Sequence, residues 1–486
     1  MEQVSFNLDA TERARLGQVV FEQIETFYSS TRALSVTPKL EVSAIRELVE
    51  QLELKDGHDP VQVIEEVVSG LREYAVHTPH QRYYGLFNPR ANFPSILADL
   101  LVAAFNPQLA AWSHAPFAAE VERHLVREIG GKFGYDTDSV DGVFATGGAE
   151  ANLTAVLCAL SDAFPNTHSS GLLQIPSRPL IYCSAESHHS IARAARVAGL
   201  GEESVVTVPA DESLRLDVDA LRLRIHADQQ AGHTPLMVVG TAGTTGAGTI
   251  DPLHEIADLA GQHGLWFHAD AAYGGGAMLS TTLRDHFGGI ERADSITFDA
   301  HKWMSVPMGA SLFLTSHPNI LSQTFALRAD YMPNDTGELQ VVDPFSHSIQ
   351  WSRRFIGLKV WMSLRVFGWK GYDEVITRQA RMGDRLRQRL KDHGWSIENE
   401  TPLPVVCFTD VEVGSNPEFA RAVLEGVLGS GRAWISTYPI GDQLTLRACI
   451  TNYDTQDEDI EQLLESLNAA RAQWGSEPRV ARGCRE

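Results

Sequence analysis

The sequence has no run of apolar residues long enough to cross a bilayer, which excludes a helical membrane protein. Basic residues are scarce: 40 Lys and Arg face 62 Asp and Glu, for a formal net charge of −22. Nothing in that balance offsets repulsion from phosphates, so nucleic acid and anionic membrane are excluded as partners. Five cysteines in 486 residues are too few for a disulfide scaffold, and Cys158, Cys183, Cys407, Cys449 and Cys484 lack CxxC spacing. Three of them sit in apolar runs, as buried thiols in a reducing cytoplasm would. With no HExxH and no paired Cys/His spacing, no metal is expected. The N-terminal stretch MEQVSFNLDATERARLGQVV has no basic segment followed by an apolar one, so no secretion signal is expected. Repeats and low-complexity tracts are also missing.

What is present divides into three regions, in line with a length that suggests two or three domains. Residues 1–75 read as a helical segment. Leu16, Val19, Val20, Ile24 and Phe27 share one face of a helix over 11–28, with Asp9 or Thr11 as caps. Two more amphipathic helices are predicted over 42–53 and 60–75. This segment is too small for its own core, and a partner subunit is the obvious surface for its apolar faces to cover. Residues 76–375 alternate helical spacing with seven apolar runs: GVFAT, PLIYCS, SVVTVPA, PLMVVGTAG, LWFHADA, SITFDAH and ASLFLTS. Most are apolar on both faces, which predicts a mainly parallel α/β sheet covered on both sides. Residues 376–486 read as a small α/β unit. Its helices are predicted over 376–393 and 457–473, its strands at PVVCFTD and QLTLRACI, and its tail is expected to be loose.

Ligands of open α/β sheets sit at the carboxyl ends of the strands. Four strand ends deliver chemistry there. In GVFATGGAEAN, Gly147 and Gly148 bare the backbone where a helix starts near Ala149, which suits an anion such as phosphate, or simply a turn. In LWFHADAAYGGGA, Asp270 ends a core strand, where it needs a cationic or hydrogen-bonding neighbour, as ligand partner, cap or ion pair. In SITFDAHKWMS, Lys302 stands beside His301 as either a nucleophilic amine or an outward-reaching side chain. In IYCSAESHHS, His188 and His189 open a helix and alone decide nothing. Together, a phosphate turn, a buried acid, an amine and a flat imidazole describe a site for pyridoxal 5'-phosphate.

The motifs HADAAYGG, HKW, TGGAEAN and SHHS resemble those of the group II pyridoxal-phosphate-dependent amino acid decarboxylases. That family includes aromatic L-amino acid, histidine, glutamate and cysteine sulfinate decarboxylases. The likeness runs from RYYGLFNP at 82–89 to LTLRACI at 444–450. It implies an aspartate aminotransferase-like α/β fold (fold type I) with a seven-stranded, mainly parallel sheet. It also implies a homodimer with its active sites at the interface.

By position, the resemblance makes Lys302 the imine lysine and Asp270 the partner of the pyridine nitrogen. His188 matches the ring-stacking histidine and Thr245 a threonine close to the ring. Gly147, Gly148, Ala149, Asp299 and His301 match phosphate-site positions. Ala149 stands where relatives commonly carry a serine or threonine, and Ala300 where proline is usual. Tyr331, in a polar stretch that reads as a mobile loop, matches a tyrosine that protonates the carbanion left by CO2. Arg447 matches an arginine close to the site. The substrate pocket should include Leu86, Phe87 and Asn88, with Gln108 and Ala110 from the other subunit. The polar and small character of that last pair argues against aromatic specificity, while Arg90 and His114 either meet an acidic substrate or are solvated or structural.

The implied reaction is decarboxylation of an L-amino acid to its amine. The alternative is another fold-type I activity, an aminotransferase or a decarboxylation-dependent aldehyde synthase. Because Tyr331 and His188 are both present, simple decarboxylation is favoured.

Overall fold

A computed structural model describes residues 6–38, 40–327 and 341–476. The seven apolar runs form the seven strands of one sheet: β1 Asp141–Ala145, β2 Pro179–Ser184, β3 Val205–Val208, β4 Thr234–Thr241, β5 Trp266–Asp270, β6 Ser295–Asp299 and β7 Ser311–Thr315. Their order across the sheet is β1-β7-β6-β5-β4-β2-β3. Only β7 runs against its neighbours, β1 and β6. The other six strands therefore point the same way and deliver their carboxyl ends to one edge.

Alternation along each strand supplies two cores. Phe144, Tyr182, Val238, Phe267, Phe298 and Leu312 face one of them. Val143, Ile181, Met237, Trp266 and Phe313 face the other, with the helices Gly148–Ala163 and Ser190–Val197 packed over them. The sheet is thus buried on both faces, as the continuous apolar runs require.

A second sheet, wholly antiparallel, contains β8 Trp395–Ile397, β9 Val405–Asp410, β10 Ser436–Ile440 and β11 Gln443–Cys449, in the order β10-β11-β9-β8. A helix spanning Gly357–Asp392 leads into it, broken at Gly368, where φ is +63°. Leu386 and Leu390 of that helix join the core of the second sheet. Tyr84, far away in sequence, is stitched into the same layer: its N–H donates to the Trp434 carbonyl at 2.8 Å, and its carbonyl accepts from Cys449 N at 2.9 Å.

The N-terminal segment forms the helices Ala10–Ser30, Val42–Gln51 and Pro60–Glu73, and no residue of the three is buried. Val20, Val63, Val67 and Leu71 are exposed on them. No described helix is long and apolar enough to cross a membrane. Cys158, Cys183, Cys407 and Cys449 are buried free thiols, and Cys484 lies outside the described residues.

Candidate active site

At the sheet's carboxyl edge, a cavity of about 110 Å³ is lined by Gly148, Ala149, His188, Thr245, Asp270, Asp299 and Lys302 among others. Residues more than 150 positions apart meet there because the parallel strands end together.

Lys302 lies on the short helix Ala300–Trp303, immediately after β6. Its Nζ stands 2.9 Å from Oδ2 of Asp299, whose side chain is 2% exposed. Ser305 follows in the left-handed region at φ +54°, and Asn92 holds its carbonyl through both backbone N–H (2.7 Å) and Nδ2 (2.9 Å). That strained residue is fixed by its contacts, which set the exit of the lysine turn.

Asp270 ends β5. Its Oδ2 accepts from Asn152 Nδ2 at 2.9 Å and its Oδ1 from Ala272 N at 3.2 Å. Opposite it, the helix Gly148–Ala163 begins without a side-chain cap, so its first N–H groups are open to an anion. A Cβ on Gly148 would lie 3.0 Å from Asp299 Oδ2 and 3.3 Å from Ala272 Cβ, which explains a glycine there. Beside Gly147 there is open space.

His188 sits at the mouth of the cavity, with Nδ1 2.9 Å from Ser190 Oγ. Desolvation by the surrounding protein holds its pKa below the ordinary value, so the neutral ring is favoured. Thr245 is placed by its backbone, since its carbonyl accepts from Arg447 Nη2 at 2.8 Å. In the same loop Gly243 has φ +102°, and a Cβ there would come within 2.9 Å of Gly274 Cα. Only glycine allows that approach.

Other expected site residues lie elsewhere. Gly147 caps the helix outside the lining. His301 is not among the lining residues: its Nδ1 lies 2.9 Å from the Ala310 carbonyl and its Nε2 3.8 Å from Asp299 Oδ2. Phe87 is buried behind the cavity, stacked on Tyr273 with ring centroids 3.7 Å apart, and Lys302 Nζ is 5.7 Å from the Phe87 ring centre. Leu86 is half exposed, and Asn88 Nδ2 contacts Met308 Sδ at 3.2 Å. Gln108 lines a separate depression with Arg353 and Arg354, while Ala110 is buried and bonds Phe345. Tyr331 lies outside the described residues. Arg90 is not free for an acidic substrate: it pairs with Asp454 at 2.8 Å, bonds the Tyr28 carbonyl and covers the Tyr28 ring. His114 is exposed on the turn Trp112–His114. The sequence reading assigned no role to Asn152, Ser190 and Tyr273, which line the cavity.

These residues fit pyridoxal phosphate. An uncapped helix N-terminus suits its phosphate, a strand-end carboxylate its ring nitrogen and an amine its aldehyde. Oδ1 of Asp299 is in addition a buried acceptor with no partner among the described residues.

The family profile described as the pyridoxal-dependent decarboxylase conserved domain matches residues 45–411. The chain belongs to this family. Among individual relatives of this pyridoxal-dependent decarboxylase, the aromatic-L-amino-acid decarboxylase of Bacillus atrophaeus is 28% identical over 472 residues, 96% of each chain. The L-aspartate decarboxylase dtxS4 of Metarhizium robertsii is 29% identical over 418 residues, covering 84% of this chain and 82% of that one. In structure, mouse CSAD superposes with a TM-score of 0.89 at 26% identity, over 95% of this chain and 99% of that one. The decarboxylase is thus a fold-type I carboxy-lyase that uses pyridoxal phosphate to decarboxylate an amino acid.

Proposed function

We propose that Lys302 and Asp270 are the working pair of this decarboxylase and that it converts an L-amino acid into its amine and CO2 as a cytoplasmic homodimer. The observation that carries this reading is the single cavity shared by Lys302, Asp270 and the Gly148 turn.

When bound, pyridoxal phosphate supplies an aldehyde for covalent attachment and a ring that accepts the electron pair left by CO2. Gly148 and Ala149, with Gly147 just outside the lining, would hold the phosphate end with backbone N–H groups, and Ala149 offers no hydroxyl to add. Asp299 and His301 sit behind that end, with Asp299 holding the Lys302 ammonium. Lys302 contributes the ε-amine that exchanges with the substrate amine. Asp270, at the end of β5, would hold a proton on the ring nitrogen, so that the ring could supply its electron-accepting chemistry. His188 and Thr245, which line the same cavity, would hold the ring, with the neutral imidazole of His188 stacked on it. Tyr331 delivers the proton to Cα that completes the amine.

The unburied N-terminal helices and their exposed apolar residues support the dimer. So does Gln108, which lies in a depression away from its own chain's cavity, from which it would serve the partner's site; Ala110 is buried within its own chain, and of Leu86, Phe87 and Asn88 it is Phe87 that lies nearest Lys302, with its ring centre 5.7 Å from Nζ. Light scattering tests the assembly. Buried free thiols support a reducing compartment. Screening the common L-amino acids for released CO2, with products identified by mass, tests the reaction: an amine supports it, and a keto acid or aldehyde as the sole product overturns it.

A further inference from the structure

Behind Asp270 lies a buried polar cluster that no step above uses. Asn152 is its centre, 1% exposed, on the helix that starts at the glycine turn. Nδ2 of Asn152 donates to Asp270 Oδ2 at 2.9 Å and to Ser190 Oγ at 2.8 Å. Its Oδ1 accepts from Thr297 Oγ1 at 2.7 Å and meets His268 Nε2 at 3.0 Å. His268 Nδ1 meets Ser295 Oγ at 2.8 Å, and Ser295 Oγ also accepts from Trp266 Nε1 at 2.8 Å. On the other arm, Ser190 Oγ lies 2.9 Å from His188 Nδ1, to which the Ser190 backbone N–H also donates at 3.2 Å.

Thr297 Oγ1 also lies 3.3 Å from His268 Nε2, and one arrangement of protons pairs every donor of the cluster with an acceptor. A carboxylate accepts, so Asn152 must turn its amide N–H groups toward Asp270 and its oxygen toward His268. His268 must then carry its proton on Nε2. Burial favours its neutral form, so Nδ1 accepts from Ser295, whose oxygen in turn accepts from an indole that only donates. At the far end, Ser190 accepts from Asn152 and donates to His188 Nδ1. His188 is thereby left with its proton on Nε2.

Building on the cofactor placement above, we propose that Asn152 is a positioning residue that couples Asp270 to His188. It fixes the Asp270 carboxylate toward the ring nitrogen and sets the tautomer of the imidazole on the other side of the cavity. The two groups then act as one oriented unit. The cluster from Trp266 to Thr297 is the support that stops the Asn152 amide from turning over.

The test compares holoenzyme variants. Asn152→Leu keeps the volume and removes every polar atom of the hub. Ser190→Ala cuts only the arm to His188, and Thr297→Val removes one donor to Asn152. Imidazole 15N shifts, with His188 assigned by His188→Gln, should give the Nε2–H tautomer in the wild type. Asn152→Leu should lose that signature and weaken pyridoxal phosphate binding and kcat by about 10-fold to 100-fold. Ser190→Ala should disturb the His188 signature and leave cofactor affinity near wild type. Thr297→Val should fall between wild type and Asn152→Leu on both readouts. Wild-type tautomer and affinity in a folded Asn152→Leu protein overturn the proposal. Should that protein not fold, wild-type His188 shifts in Ser190→Ala with wild-type affinity in Thr297→Val overturn it. A visible cofactor band that survives Lys302→Ala would instead sink the placement of the cofactor.

Discussion

Lys302 Nζ and Asp299 Oδ2 stand 2.9 Å apart, and the aspartate is almost fully buried. The lysine is therefore the counter-ion of a buried carboxylate as well as the proposed reacting amine. Removing one partner of a buried pair leaves an uncompensated charge, at a cost of about 3–5 kcal/mol. Lys302→Ala should abolish both the visible absorption band and the release of CO2, and should also lower Tm. Double substitution of Lys302 and Asp299 by apolar residues should recover much of the lost stability but none of the activity. Differential scanning calorimetry beside absorption spectra separates the two effects.

Asp270→Asn keeps the shape of the strand end and removes the charge. On the proposed placement, the ring nitrogen would lose its ionic partner while the phosphate contacts stay. The expected result is a fall in kcat of about 10²–10³-fold, in the range of a lost preorganised electrostatic contact. Cofactor should still bind and give a visible band. Steady-state kinetics with single-turnover CO2 release checks this, and unchanged kcat would remove Asp270 from its proposed role.

Tyr331→Phe removes a hydroxyl and little else. If that hydroxyl protonates Cα, amine formation should fall by about 10²–10⁴-fold, the usual range for a positioned acid. CO2 release should fall less, with part of the turnover diverted to aldehyde. Product ratios by mass spectrometry report this, and a fully active variant would reassign the proton donor.

Much of this architecture was legible in the sequence because parallel strands covered on both faces must be apolar throughout. All seven runs became strands, and the ends of HADAAY and FDAHKW brought Asp270 and Lys302 to one edge. Periodicity carries no direction, so the reversed run of β7 was not visible. Strands β8 and β10 were missed because one has three residues and the other none that is buried. The hub role of Asn152 had no sequence signature. Its polar partners lie 38 to 145 positions away, and an asparagine in a helix gives no sign of them. The structural role of Arg90 was one of two open readings in the sequence, because its partner Asp454 is 364 residues distant.

Arg447 joins the two sheets at the site. It is 3% exposed, and its guanidinium donates to Gly246 O and Thr245 O at 2.8 Å and to Gly85 O at 3.2 Å. Arg447→Ala removes the guanidinium from three carbonyls, of which, among the described residues, only Gly246 O keeps another side-chain donor, the Cys407 thiol at 3.7 Å, and should cost about 3 kcal/mol. The Thr245 loop should loosen as well, raising KM more than it lowers kcat. Lysine lacks the planar fork and should rescue only part of the loss. Tm and KM measured on both variants decide between a clamp and a replaceable charge.

His268 gives the fold a pH dependence of predictable sign. It is fully buried, and desolvation lowers its pKa from 6.5 to about 4. Between those values the unfolded chain takes up a proton that the folded chain refuses. The contribution to stability is therefore complete above pH 6.5, declines as the pH falls through the window, and levels off below about 4. Its full size is about 3 kcal/mol. His80, also buried and lowered to about 4, acts in the same direction. His268→Gln should thus flatten the pH dependence only in part. The stability difference between wild type and variant, measured by urea unfolding at pH 7 and pH 4.5, isolates His268 because other titrating groups cancel. That difference should shrink at the lower pH, where the wild type alone resists protonation at this site. A difference independent of pH would mean that the ring takes up its proton as readily in the fold as in the unfolded chain, and the proton order assigned to Asn152 would fall with it.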